Sequence, residues 1–190
     1  MTFDVRPVRA ADRDAVRRVN RDAFGREKVP DMVEALIAAG DVLIGLVAEV
    51  GGVVVGHVQL NRCWVDARER LVEVAVLSPL ATDPGHQRQG IGTALVAAVV
   101  EAARESGEPA VFLEGDPDFY SSRGFVPGAS LGFGRPSPRI PEPAFQVALL
   151  DEDLPRGPLV YCQTFWTQDC VGLRDPRLTA VEERLAAAGD

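Results

Sequence analysis

Hydrophobic residues recur along the chain with two spacings, one typical of helices and one typical of strands. Apolar side chains three or four residues apart predict helices that begin at residue 11 or 12, at 30 and at 90, and that end at Gly25, Gly40 and Gly107. Runs rich in β-branched residues predict strands at residues 3–9, 42–49, 53–60, 71–80, 110–114, 144–150 and 159–165. The Gly51-Gly52 pair predicts a hairpin between the second and third strands. This order indicates a mixed α/β fold around one sheet, not the regular alternation of a doubly wound fold.

Three further segments complete this pattern. A short helix is expected at residues 117–122, and a last helix is expected to begin at Asp175-Pro176. Residues 127–143 are rich in glycine and proline, which predicts a long connection at the surface. Long connections in compact domains are often functional.

The composition restricts the class of protein. No linker-like stretch divides the 190 residues, so we expect a single domain over residues 1–190, with a core at roughly 3–150 and a C-terminal strand-and-helix extension at 151–190. The formal net charge of −8 disfavours a nucleic-acid partner. The start of the chain lacks the apolar stretch of a signal peptide, and no apolar run approaches about 20 residues. We therefore expect a cytoplasmic protein without a membrane partner.

Residues that bind metals are scarce. The three cysteines do not form a C-x-x-C pair, and His57 and His86 are the only histidines. The cysteines are expected to be reduced thiols and His57 to be a hydrogen-bonded structural residue. No metal site is expected.

The segment from residue 86 to residue 93 carries the strongest chemical signal. It lies between a predicted strand and a predicted helix, where the first helical amides lack partners and favour anions. Glycines at 90 and 92 leave room for phosphate oxygens. Arg88 offers a charged contact, and Gln87, Gln89 and Thr93 offer neutral hydrogen bonds. Taken alone, the two glycines are equally compatible with a tight turn that binds nothing.

Two common nucleotide motifs do not fit this segment. A Rossmann turn requires a third glycine, but Leu95 and Val96 stand near its place. A P-loop requires a Gly-Lys pair, which the segment lacks.

The sequence resembles the GNAT superfamily of N-acetyltransferases, whose central motif is [Q/R]-x-x-G-x-[G/A]. Gln87-Arg88-Gln89-Gly90-Ile91-Gly92 matches that motif. Downstream, Tyr120 and Gly124-Phe125 resemble the family's short helix with a tyrosine followed by a Gly-Phe pair. The Gly-Asp-Pro that begins at Gly115 and the Pro-Leu-Ala that begins at Pro79 look most like the YhbS-like branch. The resemblance spans roughly residues 3–150 and is strongest over 77–126.

The resemblance implies a fold and a cofactor. The fold is a central, mostly antiparallel twisted sheet with two splayed parallel strands and helices on both faces. Acetyl-CoA is then the acyl donor, with its pyrophosphate bound by residues 87–93, Ile91 included. Its pantetheine arm pairs with backbone around Leu80, Ala81 and Thr82. Ser121 and Arg123 are candidate cofactor contacts, and Asp116 either contacts the cofactor or caps the short helix.

The resemblance also implies a reaction, the direct attack of a primary amine on the thioester. Tyr120 matches the family's general acid, with packing of the short helix as the alternative role. Glu73 and Glu114 are the candidate bases, and either is equally compatible with an ordinary surface carboxylate. A strand amide near Ala81 is expected to stabilise the oxyanion.

The acceptor is less defined than the donor. We expect a small-molecule amine or a protein amino group, bound by the first two helices and residues 127–143. The alternative function is a non-catalytic acyl-CoA-binding sensor. A Ser or Cys hydrolase is disfavoured because no G-x-S-x-G elbow occurs. The sequence leaves open whether the chain forms a homodimer.

Overall fold

A mixed sheet lies at the centre of the computed structural model, which describes residues 2–172 and residue 183. Within these residues the strands run in the order β1-β2-β3-β4-β5-β7-β6, and β8 pairs with the end of β3. Neighbouring strands are antiparallel except β4 and β5, which are parallel. The strands are β1 (Asp4–Pro7), β2 (Val42–Val50), β3 (Val53–Asp66), β4 (Leu71–Thr82), β5 (Ala110–Glu114), β6 (Val126–Pro127), β7 (Phe145–Leu149) and β8 (Leu159–Val160).

Helices cover both faces of this sheet. Along β5, Ala110 and Phe112 belong to one hydrophobic cluster, while Val111 and Leu113 belong to the other. Successive side chains of a strand point to opposite faces, so the two clusters lie on opposite sides of the sheet. We name these sides the α1 face, which α1, α2 and α5 cover, and the α3 face, which α3 and α4 cover. The helices are α1 (Arg13–Phe24), α2 (Lys28–Ala39), α3 (Ile91–Glu105), α4 (Pro117–Tyr120) and α5 (Gln163–Thr167).

The predicted elements agree with the structure except near the C-terminus and at several boundaries, among them the end of β1, which comes at Pro7 and not at residue 9. β3 continues six residues beyond the predicted end to Asp66, β4 continues two residues to Thr82, and α2 begins two residues early at Lys28. The predicted strand at 159–165 is wrong beyond Val160, because α5 begins at Gln163. The helix predicted from Asp175-Pro176 lies outside the described residues.

The Gly/Pro-rich segment 127–143 is not only a surface connection, contrary to the prediction. Phe133 and Ile140 are buried in the α1-face cluster. The Phe133 ring packs edge-on against Phe112, with 5.0 Å between ring centroids. The segment therefore forms part of the core and closes the sheet on that face.

The two parallel strands separate soon after they meet. Their pairing is limited to Ala75 with Val111 and Val76 with Phe112. Beyond Val76, β4 carries one residue more than β3, because Leu60 pairs with Leu77 and Val58 pairs with Leu80. The buried Asn61 amide donates to the carbonyls of Val76 and Ser78, at 3.3 and 2.6 Å. This bulge leaves a gap between the ends of β4 and β5. The gap agrees with the prediction that these two strands splay apart.

A charged network joins the first strand to the start of α1. The Asp12 carboxylate accepts hydrogen bonds from both terminal nitrogens of Arg6, at 2.7 and 3.0 Å, and from the Arg9 amide at 2.7 Å. Arg6 also pairs with Glu49 on β2. The Arg6 hydrogen bonds lower the pKa of Asp12 from 3.8 to about 2 against the effect of burial.

Replacing Asp12 by Asn should lower the free energy of unfolding by about 2 kcal/mol at neutral pH, the equivalent of that pKa shift. Because the folded-state pKa is depressed, this stabilisation is complete above about pH 4 and is lost as the pH falls towards 2. Urea unfolding at several pH values measures the difference from the native chain, which should narrow in acid. Asp4→Asn, at an exposed carboxylate of β1, is the matched control. An equal loss in both variants would contradict the role of Asp12.

Candidate active site

The gap between β4 and β5 opens into a cavity of about 750 Å³. Its walls include Leu80 and Tyr120 from the α3-face cluster, and Val76 and Tyr161 from the α1-face cluster. The cavity therefore passes through the sheet. Its size is usual for a small-molecule site. Two ligands can meet in this gap from opposite faces.

On the α3 face, the cavity ends at the turn between β4 and α3. Gly90 precedes the helix with a φ of 85°, a left-handed conformation that glycine adopts without steric cost. The first helical hydrogen bond runs from the Ala94 amide to the Gly90 carbonyl, so the amides of Ile91, Gly92 and Thr93 precede it. Such amides at the positive end of a helix bind anions. The turn predicted from sequence thus has the geometry of a phosphate site.

Glutamine side chains hold this turn in place. The Gln87 amide donates to the Thr82 carbonyl at 3.2 Å and ties the turn to the end of β4. The Gln89 amide donates to the Gly85 carbonyl at 3.3 Å, and Gln89 does not line the cavity. Gln87 and Arg88 do line it. Of the four predicted polar contacts, Gln89 therefore only supports the turn, while Gln87, Arg88 and Thr93 line the cavity.

Arg123 brings a second cation to the same end of the cavity. Its guanidinium donates to the Thr93 hydroxyl at 2.6 Å and lies 3.7 Å from the centre of the Phe119 ring. All three residues line the cavity. The fold thus places Arg123, which directly follows the predicted short helix, beside the phosphate turn.

Tyr120 lies on the same face, against the end of β5. Its buried ring packs edge-on with Phe119 and Phe125, at centroid distances of 4.8 and 5.6 Å. A Cβ atom at Gly115 would overlap the Tyr120 ring, so the close approach requires glycine there. Asp116 also lines the cavity, and its carboxylate accepts from the Asp118 amide at 3.0 Å as the cap of α4.

Glu114, the last residue of β5, lies on the opposite face of the sheet from Tyr120. The alternation along β5 places it on the α1 face with Phe112. The Tyr161 hydroxyl donates a hydrogen bond to the Glu114 carboxylate, and both residues line the cavity. Burial and the negative charge of Glu114 raise the pKa of Tyr161 well above its ordinary value. Tyr161 therefore remains a protonated donor to this carboxylate at neutral pH.

The rest of the α1-face wall is apolar. Phe24 is the last residue of α1, Val29 and Met32 lie on α2, and Phe165 lies on α5. All four line the cavity, together with the half-buried Cys170. The predicted contribution of the first two helices to this wall agrees with the structure. The predicted contribution of residues 127–143 does not, because none of them lines the cavity.

Three other predicted site residues do not line the cavity. Glu73 is exposed, lies near the start of β4 and pairs with Arg62 at 2.9 Å. Four residues of strand, or about 13 Å, separate it from Leu77 at the gap. The Ala81 side chain is buried in the α1-face cluster, while its neighbours Leu80 and Thr82 line the cavity. Ser121 is exposed outside the cavity.

His57 also lies outside the cavity. It is almost fully buried, and its Nδ1 lies 2.9 Å from the Asn20 amide nitrogen. Since that nitrogen also donates to the Val16 carbonyl, it donates to Nδ1 as well, and the neutral ring carries its proton on Nε2. Burial lowers the pKa of His57 to about 4. It remains neutral and packs α1 on the sheet, as expected for a structural histidine.

Sequence reasoning did not identify the two aromatic residues that line the cavity on its α1 face near the C-terminus. Tyr161 and Phe165 lie in a segment that was predicted to be one strand, and their approach to the cavity depends on the pairing of β8 with β3. Only the aromatic character of these two residues gave a signal. Phe119 and His86 are also cavity residues that adjoin predicted ones.

Two general features of the described residues bear on the chemistry. No group of three or more His, Cys, Asp and Glu side chains among them is arranged to hold a metal ion. None of the described helices has the length and apolar character needed to cross a membrane. In addition, Cys63, Cys162 and Cys170 form no disulfide bond.

Comparisons of the sequence and of the structure with known proteins agree on one family. The model of the acetyltransferase (GNAT) family matches residues 13–133. The uncharacterised N-acetyltransferase YjhQ of Escherichia coli K12 is 32% identical over 135 residues, which cover 70% of this chain and 74% of that protein. Among solved structures, the GNAT N-acetyltransferase YhbS of Escherichia coli, in complex with CoA, matches with a TM-score of 0.81 and 28% identity, over 91% of this chain and 95% of the other. A GNAT acetyltransferase of Brucella melitensis, in complex with acetyl-CoA, matches with a TM-score of 0.72 and 26% identity, over 86% and 98% of the two chains.

Proposed function

Because the chain belongs to the acetyltransferase (GNAT) family, we propose that it transfers an acetyl group from acetyl-CoA to a primary amine within the gap between β4 and β5. One observation carries this proposal beyond family membership. The cavity crosses the sheet, with an anion site and Tyr120 on the α3 face and the Glu114 carboxylate on the α1 face. Donor and acceptor then meet between a proton donor and a proton acceptor.

Acetyl-CoA binds from the α3 face in this proposal. The amides at the start of α3 take the pyrophosphate, and Arg88 and Arg123 add positive charge beside them. The pantetheine arm runs along the edge of β4 at Leu80 and Thr82, where pairing with β5 has ended. Ala81 takes part through its backbone alone. The complexes of YhbS with CoA and of the Brucella protein with acetyl-CoA support this assignment.

The reaction proceeds by direct attack within a ternary complex. The amine nitrogen donates its lone pair to the thioester carbonyl carbon, and a backbone amide of β4 beyond Val76 stabilises the oxyanion. When the tetrahedral intermediate collapses, the carbon–sulfur bond breaks and its electron pair leaves with sulfur. An ammonium has by then given one proton to Glu114, directly or through water; on collapse the nitrogen gives a second proton to water, and Tyr120 gives a proton to the thiolate and regains one from water. The products are the N-acetyl amine and CoA.

Glu114 is the base in this scheme because of its position. An alkyl ammonium with a pKa near ~10 must lose a proton before it attacks. Glu114 lines the cavity on the face opposite the phosphate turn, while Glu73 lies outside the cavity. The Tyr161 hydrogen bond fixes the orientation of the Glu114 carboxylate. A carboxylate and a tyrosine on either side of the gap favour catalysis over a sensor role.

The same core holds the C-terminal part of the described chain. Leu154 and Leu159 are buried in the α1-face cluster with residues of α1 and α2. We therefore propose that the chain forms one acyltransferase domain. Its cytoplasmic location stays a prediction.

Gly92 provides a test of the donor site. A Cβ atom there would point towards Leu80, Thr82 and Phe119, all of which line the cavity, and would lie no nearer than 3.6 Å to them. Replacing Gly92 by Leu should therefore preserve the fold and occupy the phosphate space. We expect the Kd for CoA, measured by calorimetry, to rise at least about tenfold.

Ala97→Leu is the matched control for this change. Ala97 is exposed on α3 and does not line the cavity. The Kd of the Ala97→Leu variant for CoA should equal that of the native chain. Unchanged CoA binding in Gly92→Leu would place the pyrophosphate elsewhere.

The function itself is tested by binding and turnover together. Calorimetry should show that the chain binds acetyl-CoA, and release of the CoA thiol should accelerate when a primary amine is added. A chain that binds neither CoA nor acetyl-CoA would overturn the proposal. Binding without thiol release, across amines of different classes, would favour the sensor.

A further inference from the structure

The charged side chains that line the cavity are distributed unevenly between its two faces. Among the described lining residues, the basic side chains are Arg88, His86 and Arg123, which lie at the phosphate turn or bond to it. The acidic ones are Glu114 and Asp116, and the Asp116 carboxylate caps α4. The acceptor side therefore offers one carboxylate and no described cation.

The remaining surface of that side is apolar and largely aromatic. Phe24, Val29, Met32 and Phe165 form it together with the ring of Tyr161. Met32, Phe165 and Tyr161 are each at most 5% exposed, so this part of the wall is buried. Because this wall offers few hydrogen-bonding groups, a polar substituent would lose its water without replacement.

We propose that the acceptor is a small primary monoamine whose single ammonium group is attached to an aromatic or branched aliphatic group. This inference rests on the proposed acetyltransferase function and specifies its acceptor. The ammonium contacts Glu114, and the apolar group fills the space between α1, α2 and α5. The ammonium first gives one proton to Glu114; the neutral nitrogen then forms the new bond to the acetyl carbon, the carbon–sulfur bond breaks, the nitrogen gives its second proton to water, and Tyr120 gives a proton to the thiolate.

The walls also exclude other acceptor classes. Amino acids and nucleotides carry an anion that finds no cation among the described residues lining the cavity on this face. Diamines and polyamines carry a second ammonium that lies among apolar side chains and loses its hydration.

A panel of amines tests this proposal. Phenethylamine, tryptamine and isoamylamine represent the proposed class, while putrescine, spermidine, ethanolamine and a lysine-containing peptide represent the others. Initial rates of thiol release with saturating acetyl-CoA give kcat/KM for each amine. We expect the first group to exceed the second at least roughly tenfold, the discrimination that a few buried apolar contacts provide.

A pair of variants ties the preference to the wall. Phe24→Ala should raise the KM for phenethylamine roughly tenfold and leave the KM for acetyl-CoA unchanged, because Phe24 lies on the acceptor face. Phe3→Ala is the matched control, since Phe3 is half-buried and lies outside the cavity. Equal effects of the two variants would overturn the assignment of the wall.

The outcomes separate this inference from the proposed function. Preference for putrescine, spermidine, ethanolamine or the peptide would overturn the acceptor class and leave the acetyltransferase proposal standing. Acetyl-CoA binding without turnover of any amine in the panel would overturn the acceptor class and favour the sensor. Failure to bind acetyl-CoA in calorimetry would overturn the proposed function and this inference with it.

Discussion

Replacing Tyr120 by Phe should lower kcat at least about 100-fold, the usual contribution of a general acid, and leave the Kd for CoA unchanged. The ring is held by Phe119, Phe125 and the backbone at Gly115, and a phenylalanine ring fills the same space. The variant therefore keeps the packing of the ring and loses the hydroxyl proton that the leaving thiolate requires. Steady-state thiol release gives kcat, and calorimetry with CoA gives the affinity.

The second tyrosine of the chain is the matched control. Tyr161 lines the same cavity but lies on the α1 face and bonds to Glu114. Tyr161→Phe should therefore raise the KM for the amine more than it lowers kcat. Loss of kcat in Tyr161→Phe, with native kcat in Tyr120→Phe, would exchange the two roles and refute the assignment of the acid.

Replacing Glu114 by Gln should lower kcat/KM for the amine by about 100-fold near neutral pH, again without loss of CoA affinity. The amide cannot accept the proton that an ammonium must lose. At high pH more of the amine is already neutral, so the deficit should shrink as the pH approaches about 10. A pH series of kcat/KM for the native chain and the variant measures this convergence.

Glu73→Gln is the matched control, because both carboxylates are candidate bases from the sequence and only Glu114 lines the cavity. Glu73 is exposed and paired with Arg62, so its replacement should leave turnover unchanged at every pH. A Glu73→Gln variant that loses activity, beside an active Glu114→Gln, would move the base to β4. Equal native activity in both variants would assign proton removal to water alone.

The donor half of the site follows from short stretches of sequence. The phosphate turn consists of consecutive residues, and its amides are set by the start of one helix at Ile91. Tyr120 follows β5 by six residues in the adjoining short helix. The family resemblance, which rests on these local motifs, therefore indicates where these groups lie, and it also implied the splayed strands.

The acceptor half depends on contacts between distant parts of the chain. Alternation assigns faces to Glu73 and Glu114, but only the pairing of β4 with β5 shows which carboxylate lies beside the gap. Tyr161 reaches Glu114 through the pairing of β8 with β3, across 47 positions of sequence. The burial of Phe133 and Ile140 had a signal, since large apolar residues in a Gly/Pro-rich segment suggest packing.

Because the cavity passes through the sheet, its two walls are built from different segments of the chain. The donor wall is built from one continuous stretch, from β4 through the short helix that ends at Tyr120 and the turn to Arg123. The acceptor wall is built largely from the first two helices and from residues 161–172. Substitutions near the two ends of the chain can therefore change which amine is accepted while the machinery for the acyl donor stays intact. Such an arrangement allows acceptor specificity to diverge among relatives without a new donor site having to evolve.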